Sequence, residues 1–232
     1  MNLLAIDASC SILSVAAARG DEIYSREAEA GMKHSELVMD FINSQMEEAR
    51  LKSADLDGVI CMGGPGSFTG LRIGFSIAKG LALSLSIPFA PVPTLDCAAL
   101  PHAGFSGLVL PVIEARKNAF FYALFQNGER LKPDEDAAAG QIAGEIERYK
   151  EKASGKILLT GPAAPALYDS LAREEKNNLV LAAENRGYAK ELISIANKRK
   201  LFDNDNTSYL YSGPEYLRKT DAEINLSLKD KI

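Results

Sequence analysis

Short apolar runs separated by polar turns open the chain. Leu3 to Ile6 stops at Asp7-Ala8-Ser9, Ile12 to Ala18 stops at Arg19-Gly20-Asp21, and Ile23 to Ala28 alternates more loosely. Runs of this length bounded by turn residues read as strands, and three in succession predict an antiparallel meander. From His34-Ser35 the period changes. Leu37, Val38, Phe41, Ile42, Met46 and Ala49 fall on one helical face, with Ser35 as the expected N-cap, Glu36 favouring the first turn and an end near Leu51. Leu56 to Met62 reads as the next strand.

That strand runs into Gly63-Gly64-Pro65-Gly66-Ser67-Phe68-Thr69-Gly70-Leu71-Arg72-Ile73-Gly74. A strand, a glycine-rich turn and a helix start make a backbone-rich corner. It can point N–H groups at an anion or let another chain segment come very close. The helix expected over about Thr69 to Leu85 carries two rows at four-residue spacing: Ile73, Ile77, Leu81, Leu85, and the small residues Gly70, Gly74, Ala78, Ala82. With Leu71, Phe75 and Leu83 it is apolar nearly all round and needs cover on more than one side. Either its own domain buries it or a partner helix lies on the small row. In a chain of 232 residues few helices can be covered on every side by their own domain, which favours the partner. On that reading Gly74→Leu or Ala78→Arg abolishes pairing and spares the fold.

Further along, Phe89 to Val92 reads as a strand, Thr94-Leu95-Asp96 as a helix start, and 101–107, with Pro101, Gly104 and Gly107, as a linker. Leu108 to Ile113 and Ala119 to Phe125 read as strands joined through Glu114-Ala115-Arg116-Lys117-Asn118, where Glu114 and Arg116 could form a surface ion pair. Ala137 to Lys152 suggests a polar helix, Lys156 to Thr160 a strand ending at Gly161-Pro162, Leu179 to Leu181 another, and Tyr188 to Lys198 a helix with Leu192, Ile193 and Ala196 inward. Beyond Arg218 the sequence is polar and aperiodic, as in a disordered tail. The two halves share a loose strand-then-helix order.

Composition narrows the function classes. A 47% hydrophobic, 25% charged chain is ordinary for a globular protein. A net charge of −5 argues against a chain that binds nucleic acid by itself. Three cysteines without a CxxC pair fit a reducing compartment. No apolar run is long enough to span a bilayer, and the first 18 residues lack a signal-peptide pattern, so a cytoplasmic location and no membrane association are expected.

Little catalytic chemistry is legible. The corner lacks the lysine of a P-loop and the G-x-G-x-x-G spacing of a dinucleotide site. Asp7, Ser9, Gly64, Gly66, Ser67 and Arg72 are the candidate contacts for an anion or nucleotide; equally, Asp7 could cap its own turn and the glycines could serve packing. Only His34 and His102 exist, and Val38 stands one turn after His34, so no His-x-x-x-His metal pair forms; His34 reads as a capping or surface residue. No Ser–His or Cys–His pairing can be argued, and Cys61 reads as a buried inert thiol. No catalytic or metal residue is assigned.

Asp7-x-Ser9, His34-Ser35, the string from Gly63 to Gly74 with Ala78-Lys79-Gly80-Leu81-Ala82, and Pro214-x-Tyr216-Leu217-Arg218 together resemble the bacterial TsaB (YeaZ) family, densely over residues 1–100 and sparsely afterwards. The resemblance implies an α/β, two-lobed fold shared with actin, sugar kinases and Hsp70 (the ASKHA class), with a reduced second lobe. The corresponding division is 1–103 for the first lobe, 104–219 for the second and 220–232 for a flexible tail. It also implies a non-catalytic subunit in threonylcarbamoyladenosine modification of ANN-decoding tRNA. That subunit pairs with the catalytic paralogue TsaD, is joined by the ATPase TsaE, meets tRNA only through the complex, and forms a homodimer alone. TsaD carries a metal site around His-x-x-x-His; Val38 fits a degenerate copy. Leu37, Val38, Phe41, Ile42, Gly70, Gly74, Phe75 and Ala78 are the expected interface. No cofactor is expected on the isolated chain; ATP or ADP, if bound, would sit at the heterodimer interface. The competing reading is a small kinase-like ATPase using Asp7, Ser9 and the corner.

Overall fold

The computed structural model describes residues 1–116, 118–150, 155–182, 184–203, 209 and 212–215. The first three strands form the expected meander: β1 (Asn2–Asp7), β2 (Ile12–Arg19) and β3 (Glu22–Glu29) are antiparallel neighbours, with Ala5 opposite Ala16 and Ala16 opposite Ser25. Helix α1 (His34–Glu48) then crosses to β4 (Gly58–Gly64), which pairs with β1 in parallel, Ala5 beside Ile60. Helix α2 (Phe68–Leu85) crosses to β5 (Phe89–Pro93), parallel to β4. Parallel neighbours require such crossovers, and the sheet order is β3-β2-β1-β4-β5.

After α3 (Thr94–Ala99) the same plan recurs. Strands β6 (Leu108–Arg116) and β7 (Ala119–Tyr122) pair antiparallel; β8 (Phe125–Gln126) and β9 (Glu129–Arg130) form a short hairpin on β6, and β10 (Glu135–Ala138) pairs with β7. Helix α4 (Ala139–Lys150) leads to β11 (Ile157–Thr160), parallel to β6, and α5 (Ala164–Ser170) leads to β12 (Leu179–Leu181), parallel to β11. The main path of this sheet runs β10-β7-β6-β11-β12, the order of the first sheet repeated. The fold is two-lobed α/β of the actin-like ASKHA class.

Alternation along the strands decides what covers each face, because successive side chains point to opposite sides. In the first sheet Leu4, Ile6, Leu13, Val15, Val59 and Cys61 pack beneath α1 and α2. Leu3, Ala5, Ala16, Ala18, Ile60 and Met62 pack on the other face beneath α6 (Ala189–Arg199), through Leu192, Ile193 and Ala196. Burying each of these larger aliphatic side chains contributes about 1.5–3 kcal/mol, so α6 is firmly held to the first sheet although it comes late in the chain. In the second sheet Leu108, Leu110 and Val112 face α4 and α5, while Val109, Ile113 and Phe121 face α3 through Leu95 and Ala99. The buried Asp96 of α3 takes Arg130 Nε at 3.0 Å and a second ion pair from Arg199, joining α3, β9 and α6. Two guanidiniums compensate a carboxylate that burial alone would penalise.

Several local expectations are corrected. Lys33, not Ser35, holds the N-cap position of α1, with no side-chain cap bond, and the helix stops at Glu48 rather than near Leu51. Glu114 and Arg116 lie inside β6 rather than in a turn, and Ala123-Leu124 divide the single strand expected over Ala119–Phe125. Strand β10, the β8–β9 hairpin and α5 were not foreseen: Glu-Asp-Ala-Ala is a polar strand at the sheet's edge, and a seven-residue helix is too short to show a period. The end of the polar helix at 151–152, Lys117, Tyr216-Leu217-Arg218 and the tail 220–232 lie outside the described residues.

Candidate functional site

The glycine corner is packed against its own chain. Ser67 N donates to Ser9 O at 2.7 Å, and Ser67 Oγ accepts from Gly70 N at 3.2 Å, so Ser67 both pins the corner to the β1–β2 turn and caps α2. A Cβ at Gly70 would collide with the Ala8 carbonyl, and one at Gly66 would stand 2.7 Å from the Ser9 carbonyl oxygen. Gly64, at φ +110, sits beneath Glu215, whose N–H donates to Gly63 O at 2.8 Å. Close approach of backbone to backbone is therefore what these glycines permit.

Asp7 closes the other side of that turn. Its Oδ1 accepts from Ser9 N at 2.9 Å and Ser9 Oγ at 2.7 Å, and its Oδ2 accepts from Tyr188 N at 2.8 Å. Ser14 Oγ accepts from Ala189 N at 3.3 Å, so two side chains of the first sheet hold the start of α6. Burial raises the Asp7 pKa above the usual carboxylate range, and the bonds from Ser9 and Tyr188 oppose that shift. Of the two readings of Asp7, capping describes the observed bonds: three internal donors occupy it.

Beside this turn lies a cleft of about 540 Å³ between the two sheets. Ser9, Ser67 and Gly70 line it, with Ser11, His34, Thr69 and Ile73; Ile113, Glu114, Pro162, Ala163 and Ala166 form the far wall. His34 is a correction: it is 6% exposed, and its Nε2 has no hydrogen-bond partner among the described residues. Cys10 also lines the cleft, and burial pushes its thiol up to about 12, which leaves it unreactive near neutral pH. Cys61 and Cys97 are buried free thiols, raised for the same reason. Among the described residues no group of three or more His, Cys, Asp or Glu could hold a metal ion.

Arg72 does not join the other candidate anion contacts. It is exposed, with its guanidinium 3.9 Å from the Phe68 ring centroid, in a groove on the outer side of α1 and α2 lined by Ser35, Phe68, Thr69, Ile73, Ser76 and Ile77. The expected pairing surface is likewise turned round. Val38, Phe41, Ile42, Phe75 and Ala78 are buried against the chain's own sheet, Gly70 against Ala8, and Leu37 is half-buried beside them; Gly74 is buried too. Within the small row Gly70 lets the start of α2 come close to Ala8, whereas a Cβ at Gly74 would meet open space. The second row, Ile73, Ile77, Leu81 and Leu85, is half-buried at the edge of the same core, and Ile73 and Ile77 share their outer groove with the exposed Phe68. The sequence signal for this face was present in Met39 and Leu83, apolar residues on otherwise polar helix sides. The far wall of the cleft was missed, although Gly161-Pro162 repeats the Gly64-Pro65 corner.

Comparison with known proteins places this geometry. Residues 22–226 match the family model described as "TsaD: tRNA N6-adenosine threonylcarbamoyltransferase". A Bacillus subtilis protein named tRNA threonylcarbamoyladenosine biosynthesis protein TsaB is 31% identical over 231 residues, covering 96% of each chain. The protein of the same name from Buchnera aphidicola is 26% identical and covers 90% of this chain and 97% of its own. Among solved structures, a Pseudomonas aeruginosa protein described as similar to peptidase YEAZ superposes with a TM-score of 0.77 at 22% identity, covering 94% of this chain and 99% of that one. YeaZ from the same organism gives 0.73 at 22% identity, covering 87% and 93%. At that identity the structures speak for the fold; the family match and the end-to-end likeness to the Bacillus protein carry more, and on them this chain belongs to the TsaB (YeaZ) family, within the wider group the TsaD model describes.

Proposed function

We propose that this chain serves threonylcarbamoyladenosine biosynthesis on tRNA as the non-catalytic subunit that pairs with a TsaD-type threonylcarbamoyltransferase. The observation that carries this reading is the outer face of α1 and α2. Phe68, 38% exposed, shares a groove with the half-buried Ile73 and Ile77, and Met39, 45% exposed, and Leu83, 62%, add apolar surface elsewhere on the outward sides of the same two helices. An apolar face of this kind suits a helix-on-helix contact. It lies in the first lobe (1–103); the second lobe (104–219) and the tail (220–232) complete the division. Two copies would use the same face in the partner's absence, giving a homodimer. The ATPase TsaE would join the assembled pair, tRNA would be met only through the complex, and ATP or ADP would lie at the heterodimer interface rather than on this chain alone. The internal use of Asp7 supports the non-catalytic assignment, because the carboxylate best placed to serve a nucleotide is already filled.

Size-exclusion chromatography with light scattering, on the chain alone and mixed with the TsaD paralogue of its organism, tests the reading. A one-to-one species forming at the expense of a homodimer is expected, with no ATP hydrolysis by the chain alone. A mixture that elutes as its separate components overturns the pairing.

A further inference from the structure

The groove on the outer side of α2 does not end at the helices. Two of its residues, Thr69 and Ile73, also line the cleft between the sheets. One continuous surface therefore runs from the outside of α2, over Thr69 and Ile73, to the second lobe, where Ile113, Glu114, Pro162 and Ala166 stand. Met32 lies on the same cleft, in the turn before α1, and is 99% exposed. A methionine this fully in water is adaptable apolar surface of the kind that protein partners bury. The chemistry of the cleft limits what can fill it. Its volume of about 540 Å³ takes several side chains. The second-lobe wall is apolar except for the exposed carboxylate of Glu114, and among the described residues that line the cleft there is no lysine or arginine. Ser67 N and Gly70 N are already bonded within the chain, to Ser9 O and Ser67 Oγ, so the glycine corner offers a phosphate neither a cation nor these donors.

We propose that the partner in the pairing reading, on which this inference rests, continues from the outer groove into the cleft. Its segment there carries an apolar side chain, set against Met32 and the second-lobe wall, and a lysine or arginine that pairs with Glu114. Continuity with the groove gives the route, and the lone carboxylate in an otherwise apolar second-lobe wall gives the charge that the segment must bring. The partner then touches both lobes of this chain and holds the angle between them, so pairing does more than join two first lobes.

Titration of the TsaD paralogue into the wild-type full chain, Glu114→Gln and Ala166→Trp tests this, with thermal unfolding of each recorded alongside. Both substitutions fall at exposed positions of the second lobe, on β6 and α5, and leave the outer groove untouched. Glu114→Gln is expected to weaken pairing about two- to fivefold, the range of an exposed ion pair, with the difference from wild type shrinking in about 1 M salt. Ala166→Trp is expected to weaken it about tenfold or more by filling the cleft, with unfolding close to wild type. Wild-type affinity in either folded variant overturns the inference and leaves the pairing reading standing. A wild-type chain that does not pair removes that reading and this inference with it. Effects seen only with ATP or ADP present, or only on a homodimer of this chain, would assign the cleft to a nucleotide or to a second copy and overturn it as well.

Discussion

The two lobes follow one plan with unequal material. In the first, α1 has 15 residues and α2 has 18; their counterparts α4 and α5 have 12 and 7. Strands β4 and β5 have 7 and 5 residues, β11 and β12 only 4 and 3. What does not shrink is the corner. Gly64-Pro65 and Gly161-Pro162 both stand between a central strand and its helix. Ser67 N donates to Ser9 O at 2.7 Å in one lobe and Ala163 N to Val112 O at 3.2 Å in the other. A Cβ at Gly161 would stand 2.5 Å from the Val112 carbonyl oxygen, as one at Gly66 would crowd Ser9. The corner is thus a requirement of the topology, whereas the apolar outer face spreads over α1 and α2, both longer than their second-lobe counterparts. The surface that distinguishes this protein lies in what the first lobe has in excess.

That contrast can be broken most severely from inside the first lobe. Ala78 is 0% exposed, so Ala78→Arg forces a charge into the core beneath α2 and should remove the soluble fold, a loss of about 4 kcal/mol or more. Recovery of folded Ala78→Arg protein would return the small row to the surface. Asp7→Ala leaves the Ser9 and Tyr188 donors unpaired in a buried site; a loss of about 2–4 kcal/mol in urea unfolding is expected, and a change under 1 kcal/mol would contradict the clamp on α6. Gly144→Ala, on the exposed side of α4 with no atom within 4 Å of the new methyl, should stabilise by about 0.5–1 kcal/mol, measured by the same unfolding curve.

Much of the fold was legible in the sequence because periods are local. The meander from Leu3 to Ala28, the strand into the glycine corner, and the helices beginning near His34, Thr69 and Tyr188 all follow from spacing and turn chemistry. The direction of α2 was not legible. Its small row and its aliphatic row have the same four-residue spacing, and only the β-sheet beneath it decides that Ala78 and Ala82 face inward while Ile73 and Ile77 stay half-buried at the edge. The role of Asp7 was hidden for a related reason: its third donor, Tyr188 N, lies 181 residues away. The cleft needed both lobes at once, since His34 and Ala166 come together only in the folded chain.

The central claim is that pairing uses the outer face of α1 and α2. It is tested most directly by titrating the TsaD paralogue into wild-type chain and into Ile77→Arg, with the thermal unfolding of each variant recorded alongside. The account predicts at least about tenfold weaker pairing for Ile77→Arg, the effect of losing roughly 1.4 kcal/mol at the contact, with unfolding close to wild type because the side chain is only half-buried. Wild-type affinity in a folded Ile77→Arg chain would contradict it.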